Sequence, residues 1–180
     1  VAALRRRVDL DDEAEVLAAV SACKIEYDNG QILLDGDEVA AVARSEAVTK
    51  AVSAVSALPR VREHIVEIQR RWVADRGGDA VVEGRDIGTV VFPAAPVKVF
   101  LTADAATRAA RRSGDAEAAD LDVADIIADL NRRDQADSTR EASPLRKAAD
   151  AVEIDTSQLN IEQVVAAILS VVADRSGRQI

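Results

Sequence analysis

Ala80-Val81-Val82-Glu83-Gly84-Arg85-Asp86-Ile87-Gly88-Thr89-Val90-Val91-Phe92-Pro93 is the stretch on which the reading of this chain turns. Its first three residues, short and β-branched, have the pattern of a buried strand. Gly84 and Gly88 then flank an Arg-Asp pair, and backbone without a Cβ can come close to a ligand. In open α/β sheets, ligands bind beyond the carboxyl ends of strands. Two readings fit the spacing: a ligand site, or a strand-to-helix turn with a local ion pair.

Beyond it, two more segments have the pattern of core strands, Pro96 to Leu101 and Ala151 to Ile154. Helical patterns fill the gaps. Thr102-Ala103-Asp104 caps a helix that runs through Arg112. Val123, Ile126, Ile127 and Leu130 form one stripe, and Ile161, Val164, Val165, Ile168 and Val172 another. Strands alternating with helices predict an α/β chain with a parallel sheet. Upstream the rhythm differs. Residues 13–22 predict a helix. Lys24 to Asp28, Asn29-Gly30 and Gln31 to Leu34 predict a hairpin, and Asp35-Gly36 a second turn. Helical stripes follow at Val48, Val52 and Val55, then at Val61, Ile65, Ile68 and Trp72. Pro59 opens the second of these helices and Gly77-Gly78 closes it. The hairpin lies outside the α/β rhythm and is expected to be an insertion. The Asp/Ala-rich stretch from Ser113 to Asp122 is the candidate mobile segment.

The 180 residues suit one domain with a real core. With 23 basic and 32 acidic residues the net charge is −9, which argues against general binding of nucleic acid or anionic membrane. No apolar run approaches the ~20 residues of a spanning helix. Aromatics make up only 2%, so Ala, Val, Leu and Ile must fill the core. A single Cys23 forms no internal disulfide, which fits a reducing cytoplasm, and a single His64 excludes a His-cluster metal site.

Two further clusters are richer in charge than packing requires. Asn131-Arg132-Arg133-Asp134 is followed by Asp137 and Arg140, and Arg133, Asp137 and Arg140 share one face if the helix continues. Guanidinium groups grip phosphate oxygens in a fork, and several together neutralise a transferring phosphoryl group. The alternative is a solvated helix with i,i+4 pairs. Arg108, Arg111 and Arg112 end the helix opened by Asp104, where the helix dipole alone favours cations. Arginine near strand ends in an acidic α/β chain points to a phosphorylated small molecule.

The run Glu83 to Pro93, with Ala95-Pro96-Val97-Lys98-Val99-Phe100-Leu101, closely resembles the bacterial cytidylate kinases. Leu58-Pro59-Arg60-Val61-Arg62, Arg132 to Arg140 with Ser143-Pro144-Leu145, and Ala149 to Ser157 resemble other family segments in the same order. The resemblance covers essentially the whole chain. It implies a P-loop nucleoside monophosphate kinase fold: a parallel sheet, an inserted monophosphate-binding subdomain at residues 20–76, and a short lid with its flanking helix at 111–140. It implies phosphoryl transfer from ATP to CMP or dCMP in the cytoplasm, with Mg²⁺, whose ligands are not identifiable here. By resemblance, Ser53, Arg62 and Asp86 read the cytosine. Arg85 and Arg133 grip the phosphate, Asp137 and Arg140 contact ribose and phosphate, and Arg111 and Arg112 belong to the lid. Arg85, Arg133 and Arg140 are the implied catalytic residues.

The family's first strand and phosphate loop are expected to be missing. The glycines are residues 30, 36, 77, 78, 84, 88, 114 and 177, and none precedes a Lys, so G-x-x-x-x-G-K-[ST] does not occur. The chain also has no Met and begins at Val1. The reading taken is the bulk of a kinase, monomeric once its N-terminal segment is present. A non-catalytic nucleotide-binding protein that keeps the CMP site is the alternative, and a split assembly is a third reading.

Overall fold

The computed structural model describes residues 1–28, 30–114, 122–139 and 143–176. The chain divides into two compact units, Val1–Ala80 and Val81–Ile180.

In the first unit, α1 (Ala2–Arg6) leads into α2 (Glu13–Ser21). Asp12 starts α2 by accepting from the N–H groups of Ala14 and Glu15 at 2.9 and 3.0 Å, which satisfies two donors that have no helical partner. A hairpin follows, β1 (Ile25–Asp28) and β2 (Gln31–Leu34), antiparallel from Ile25 opposite Leu34 to Asp28 opposite Gln31. β3 (Asp37–Glu38) pairs back on β2 across Asp35 and Gly36, whose φ values of 54° and 88° are the two positive angles such a tight turn needs. After the short α3 (Ala40–Ala43), α4 (Glu46–Ala57) and α5 (Pro59–Ala74) form a helical pair. Pro59 occupies the first turn, where its missing N–H costs nothing. Gly77 and Gly78 end α5 at φ 72° and 89°, and the Gly78 N–H returns to the Val73 carbonyl at 3.0 Å. The core is aliphatic and small: Ala3, Val16, Val20 and Val61, with Leu17, Val55 and Ile65 against them.

In the second unit, β4 (Val99–Thr102) and β5 (Val152–Asp155) pair in parallel, Val99 opposite Val152 through Thr102 opposite Asp155. α6 (Ala105–Ser113) and α7 (Val123–Thr139) pack together through Ala109, Ile126, Ile127 and Leu130. α8 (Ile161–Ser176) starts with a reciprocal cap: Asn160 and Gln163 each donate an N–H to the other's side-chain oxygen, at 2.9 and 2.8 Å.

The α/β character and the parallel pairing follow the sequence. Two expectations need correction. Residues 80–82 form no strand, and Val81 is fully exposed at 102%. A strand exists by pairing its N–H and C=O groups with a neighbour, and among the described residues the parallel sheet consists of β4 and β5 alone. For the same reason those two strands are half-buried, not core strands, and Leu101 is exposed. Most of the Ser113–Asp122 stretch, and with it much of the expected lid, lies outside the described residues. No helix among them is long and apolar enough to cross a membrane.

Candidate functional site

The Gly-Arg-Asp-Ile-Gly stretch folds into one turn of π-helix, Ile87–Val91. Its geometry converges on the Asp86 carbonyl, which accepts N–H groups from Thr89, Val90 and Val91 at 3.2, 2.8 and 3.3 Å. π turns are rare and gather at functional positions. Gly84 fits closely: a Cβ there would stand 2.9 Å from Cγ1 of Ile87, and that side chain would have to shift. Asp86 is buried, at 6% exposure.

The turn sends Arg85 toward α7. Arg85 Nη1 donates to Asp134 Oδ1 at 3.2 Å, and its Nε pairs with Asp137 Oδ2 at 3.3 Å. Asp134 and Asp137 stand three residues apart on α7, so one helix face presents both carboxylates. The second oxygen of Asp134 accepts from Arg108 Nη1 on α6. Two guanidinium groups and two carboxylates thus form a partly exposed chain of ion pairs, Arg108–Asp134–Arg85–Asp137, within the second unit. Arg133 lies beside it on α7 and makes no ion pair among the described residues.

Other expected residues are placed as follows. Arg111, at the end of α6, donates to Thr156 Oγ1 at 2.9 Å, to the Thr156 carbonyl at 2.7 Å and to the Leu159 carbonyl at 3.2 Å. These contacts tie α6 to the loop leaving β5. Arg112 is half-buried on the same helix. Arg140 lies outside the described residues. In the first unit, Ser53 on α4 and Arg62 on α5 meet through Ser56. The Ser56 hydroxyl donates to the Ser53 carbonyl at 3.1 Å, and Arg62 Nη1 donates to the Ser56 carbonyl at 3.2 Å.

The strand exits of the second unit are polar. Asp104 caps α6, and the Thr107 N–H at 2.7 Å holds its carboxyl below the ordinary aspartate range. Asp155 is likewise lowered, chiefly by the Ser157 hydroxyl at 2.6 Å. Ser157 Oγ also accepts the Asp104 N–H at 2.9 Å, so one hydroxyl joins the ends of β4 and β5.

The sequence points to Arg85 and Asp137 as site residues but assigns no role to Asp134 or Arg108. Asp134 carries a signal, its position one turn before Asp137. Arg108 stands in the charged cluster at the end of α6, but its pairing with Asp134, 26 residues away on another helix, leaves no mark in the spacing.

An Arg–Asp network anchored on a glycine turn, in a unit whose parallel strands end in polar residues, is an arrangement found in α/β nucleotide-handling folds. The chain belongs to the cytidylate kinase family, whose model matches residues 1–174. It is 51% identical to the cytidylate kinase of Rhodococcus jostii (strain RHA1), an alignment covering 97% of this chain and 79% of that one. It is 49% identical to the cytidylate kinase of Nocardia farcinica (strain IFM 10152), over 96% and 76%. With that of Mycobacterium leprae (strain Br4923) identity is 45%, over 98% and 80%.

Proposed function

We propose that the protein transfers the terminal phosphoryl group of ATP to CMP or dCMP, giving ADP and the cytidine diphosphate. Family membership over residues 1–174 is the observation that carries this reading. The chemistry suits the side chains present. The acceptor is a phosphate oxygen with a second pKa of about 6, so it is largely ionised at neutral pH and needs no general base. One bond forms from that oxygen to the γ-phosphorus, and the bond to the β-phosphate's bridging oxygen breaks. What the protein must supply is position and positive charge.

In this reading Arg85 and Arg133 grip phosphate oxygens, with Arg140 and Asp137 at phosphate and ribose. Asp86 accepts from the exocyclic amine of cytosine. Uracil would present a carbonyl there, and two facing acceptors repel. Ser53 and Arg62 donate to ring acceptors. Arg111 and Arg112 belong to a lid that excludes water, the competing acceptor. The P-loop kinase architecture, with a monophosphate-binding insertion at 20–76 and a lid region at 111–140, is part of the same proposal. Mg²⁺ has no dedicated seat among the described residues. No suitable group of three or more His, Cys, Asp or Glu is present there, and Asp134 and Asp137 already hold arginines.

The test is ADP release with CMP, dCMP, UMP and AMP as acceptors, beside a calorimetric titration with CMP. CMP and dCMP should support release and the others weakly or not at all. Asp86→Ala should weaken CMP binding and erode the preference over UMP. Selective CMP binding without ADP release would select the second reading, a nucleotide-binding protein that keeps the CMP site. No CMP binding by the folded protein would end both.

A further inference from the structure

Asp134 is the point at which the ion network of the second unit meets, and none of the roles above uses it. Its two oxygens take different guanidinium groups, Arg85 from the glycine turn and Arg108 from α6. Carboxylate–arginine pairs are often bidentate, one carboxylate holding two nitrogens of one fork. Here the fork of Arg85 is divided instead, with Nη1 on Asp134 and Nε on Asp137. Arg85 Nη2, which carries two N–H donors, has no hydrogen bond among the described residues. Arg108 is engaged at Nη1, and its Nε is buried without a hydrogen-bond partner there, so that guanidinium serves the carboxylate and not a ligand.

We propose that Asp134 is a positioning residue for phosphoryl transfer: held by Arg108 on one oxygen, it fixes Arg85 by one nitrogen with the other and leaves Arg85 Nη2 for a phosphate oxygen. The inference rests on the kinase reading above. Its electrostatics make it separable from a merely structural role. Asp134 adds a negative charge beside the bound phosphate, which weakens ground-state attraction for an anion. What it contributes is the orientation of one planar donor group, and a displacement of about 1 Å can cost a hundredfold in rate. Orientation and affinity are therefore opposed at this residue.

The test uses Asp134→Asn, which keeps the shape and removes the charge. In the active protein, kcat should fall about ten- to a hundredfold. The Kd for pyrophosphate, read by calorimetry, should tighten several-fold, and the KM for CMP should stay level or fall. Asp134→Glu restores the charge at a longer reach. It should return pyrophosphate affinity to the wild-type value without restoring kcat. If Asp134→Asn fails to fold, Arg108→Lys serves instead: it keeps the positive charge but loses the planar fork that fixes Asp134, and its kcat should fall about tenfold with Tm little changed. An Asp134→Asn kcat within twofold of wild type overturns the inference. So does a joint rise in KM, loss of kcat and drop in Tm, the pattern of a structural residue. A full-length wild type, phosphate loop included, that releases no ADP with CMP fails the kinase reading itself, a different result from an active wild type with an indifferent Asp134.

Discussion

The loop from Gly84 to Lys98 carries a cation near each end, and the two are engaged differently. Lys98 has a buried side chain, 7% exposed. Its Nζ donates to the Pro93 carbonyl at 2.5 Å and to both oxygens of Asp150 at 3.0 and 2.8 Å. An ammonium has three donors, and all three directions are taken. The stem runs beside Gly88, where a Cβ would come within 3.3 Å of Lys98 Cδ, so the glycine leaves room for it. Arg85 is 43% exposed and uses two of its three nitrogens. Lys98 ties the loop to Asp150, in the segment that leads into the neighbouring strand β5. Arg85 is held in place with a donor left over. Within one short segment, a fully engaged cation holds the fold and a partly engaged one is the candidate for the site.

Truncating both cations challenges that contrast most strongly. Arg85→Ala should lower kcat/KM for CMP about 10²–10³-fold, the usual cost of removing one donor to a developing anion, with Tm little changed because the ion pairs are half-exposed. Lys98→Ala should do the reverse: a clear fall in Tm, with kcat retained within a few-fold. Steady-state kinetics and thermal melts on the two variants decide it. Equal losses of activity and stability in both would erase the distinction.

A second test is pH. The Lys98 ammonium holds the Asp150 carboxyl below its ordinary value of 3.8. A carboxyl with a depressed folded pKa stabilises the native state above its unfolded value, and the contribution disappears as pH falls through the folded one. Asp150→Asn should therefore lower stability at neutral pH and converge with wild type below pH 3.8. Urea unfolding across the acid range reads this directly. A constant gap between the two proteins down through that range would show that the Lys98 contact does not depend on Asp150's charge.

How much of this is legible in the sequence depends on the range of the interaction. Asp35-Gly36, Pro59 at the start of α5 and Gly77-Gly78 at its end are local devices, and each stands where its chemistry places it. The apolar triplet Ala80-Val81-Val82 misleads because such a triplet specifies a strand only if something pairs with it. The site shows the same division. Asp137 is visible from helical spacing along α7. The joining of Arg85 to Asp134 across 49 residues, and of Arg108 to it across 26, depends on tertiary placement that no spacing rule encodes.

Arg111, at the end of α6, is a second engaged cation. It makes three hydrogen bonds to Thr156 and Leu159. Arg111→Ala should cost about 1 kcal/mol of stability, discounted for its exposure. Chemical denaturation measures the loss, and an unchanged midpoint would remove the anchoring role given to Arg111.

Cys23 presents the same contrast in one weak donor. Its thiol donates to the Ala19 carbonyl one turn back, at 3.1 Å. Burial first, then the Asp35 carboxylate, pushes its pKa above the ordinary 9.0. Thiolate is the reactive form, so a raised pKa leaves less of it at any given pH. Iodoacetamide at about pH 8, just below the free thiol's pKa, should therefore label Cys23 several-fold more slowly in the native protein than in urea. Equal rates would mean that the Ala19 contact and the burial around it do not restrain the thiol. A donor engaged by the fold would then be no less available than a free one, which is the premise that separates Lys98 from Arg85.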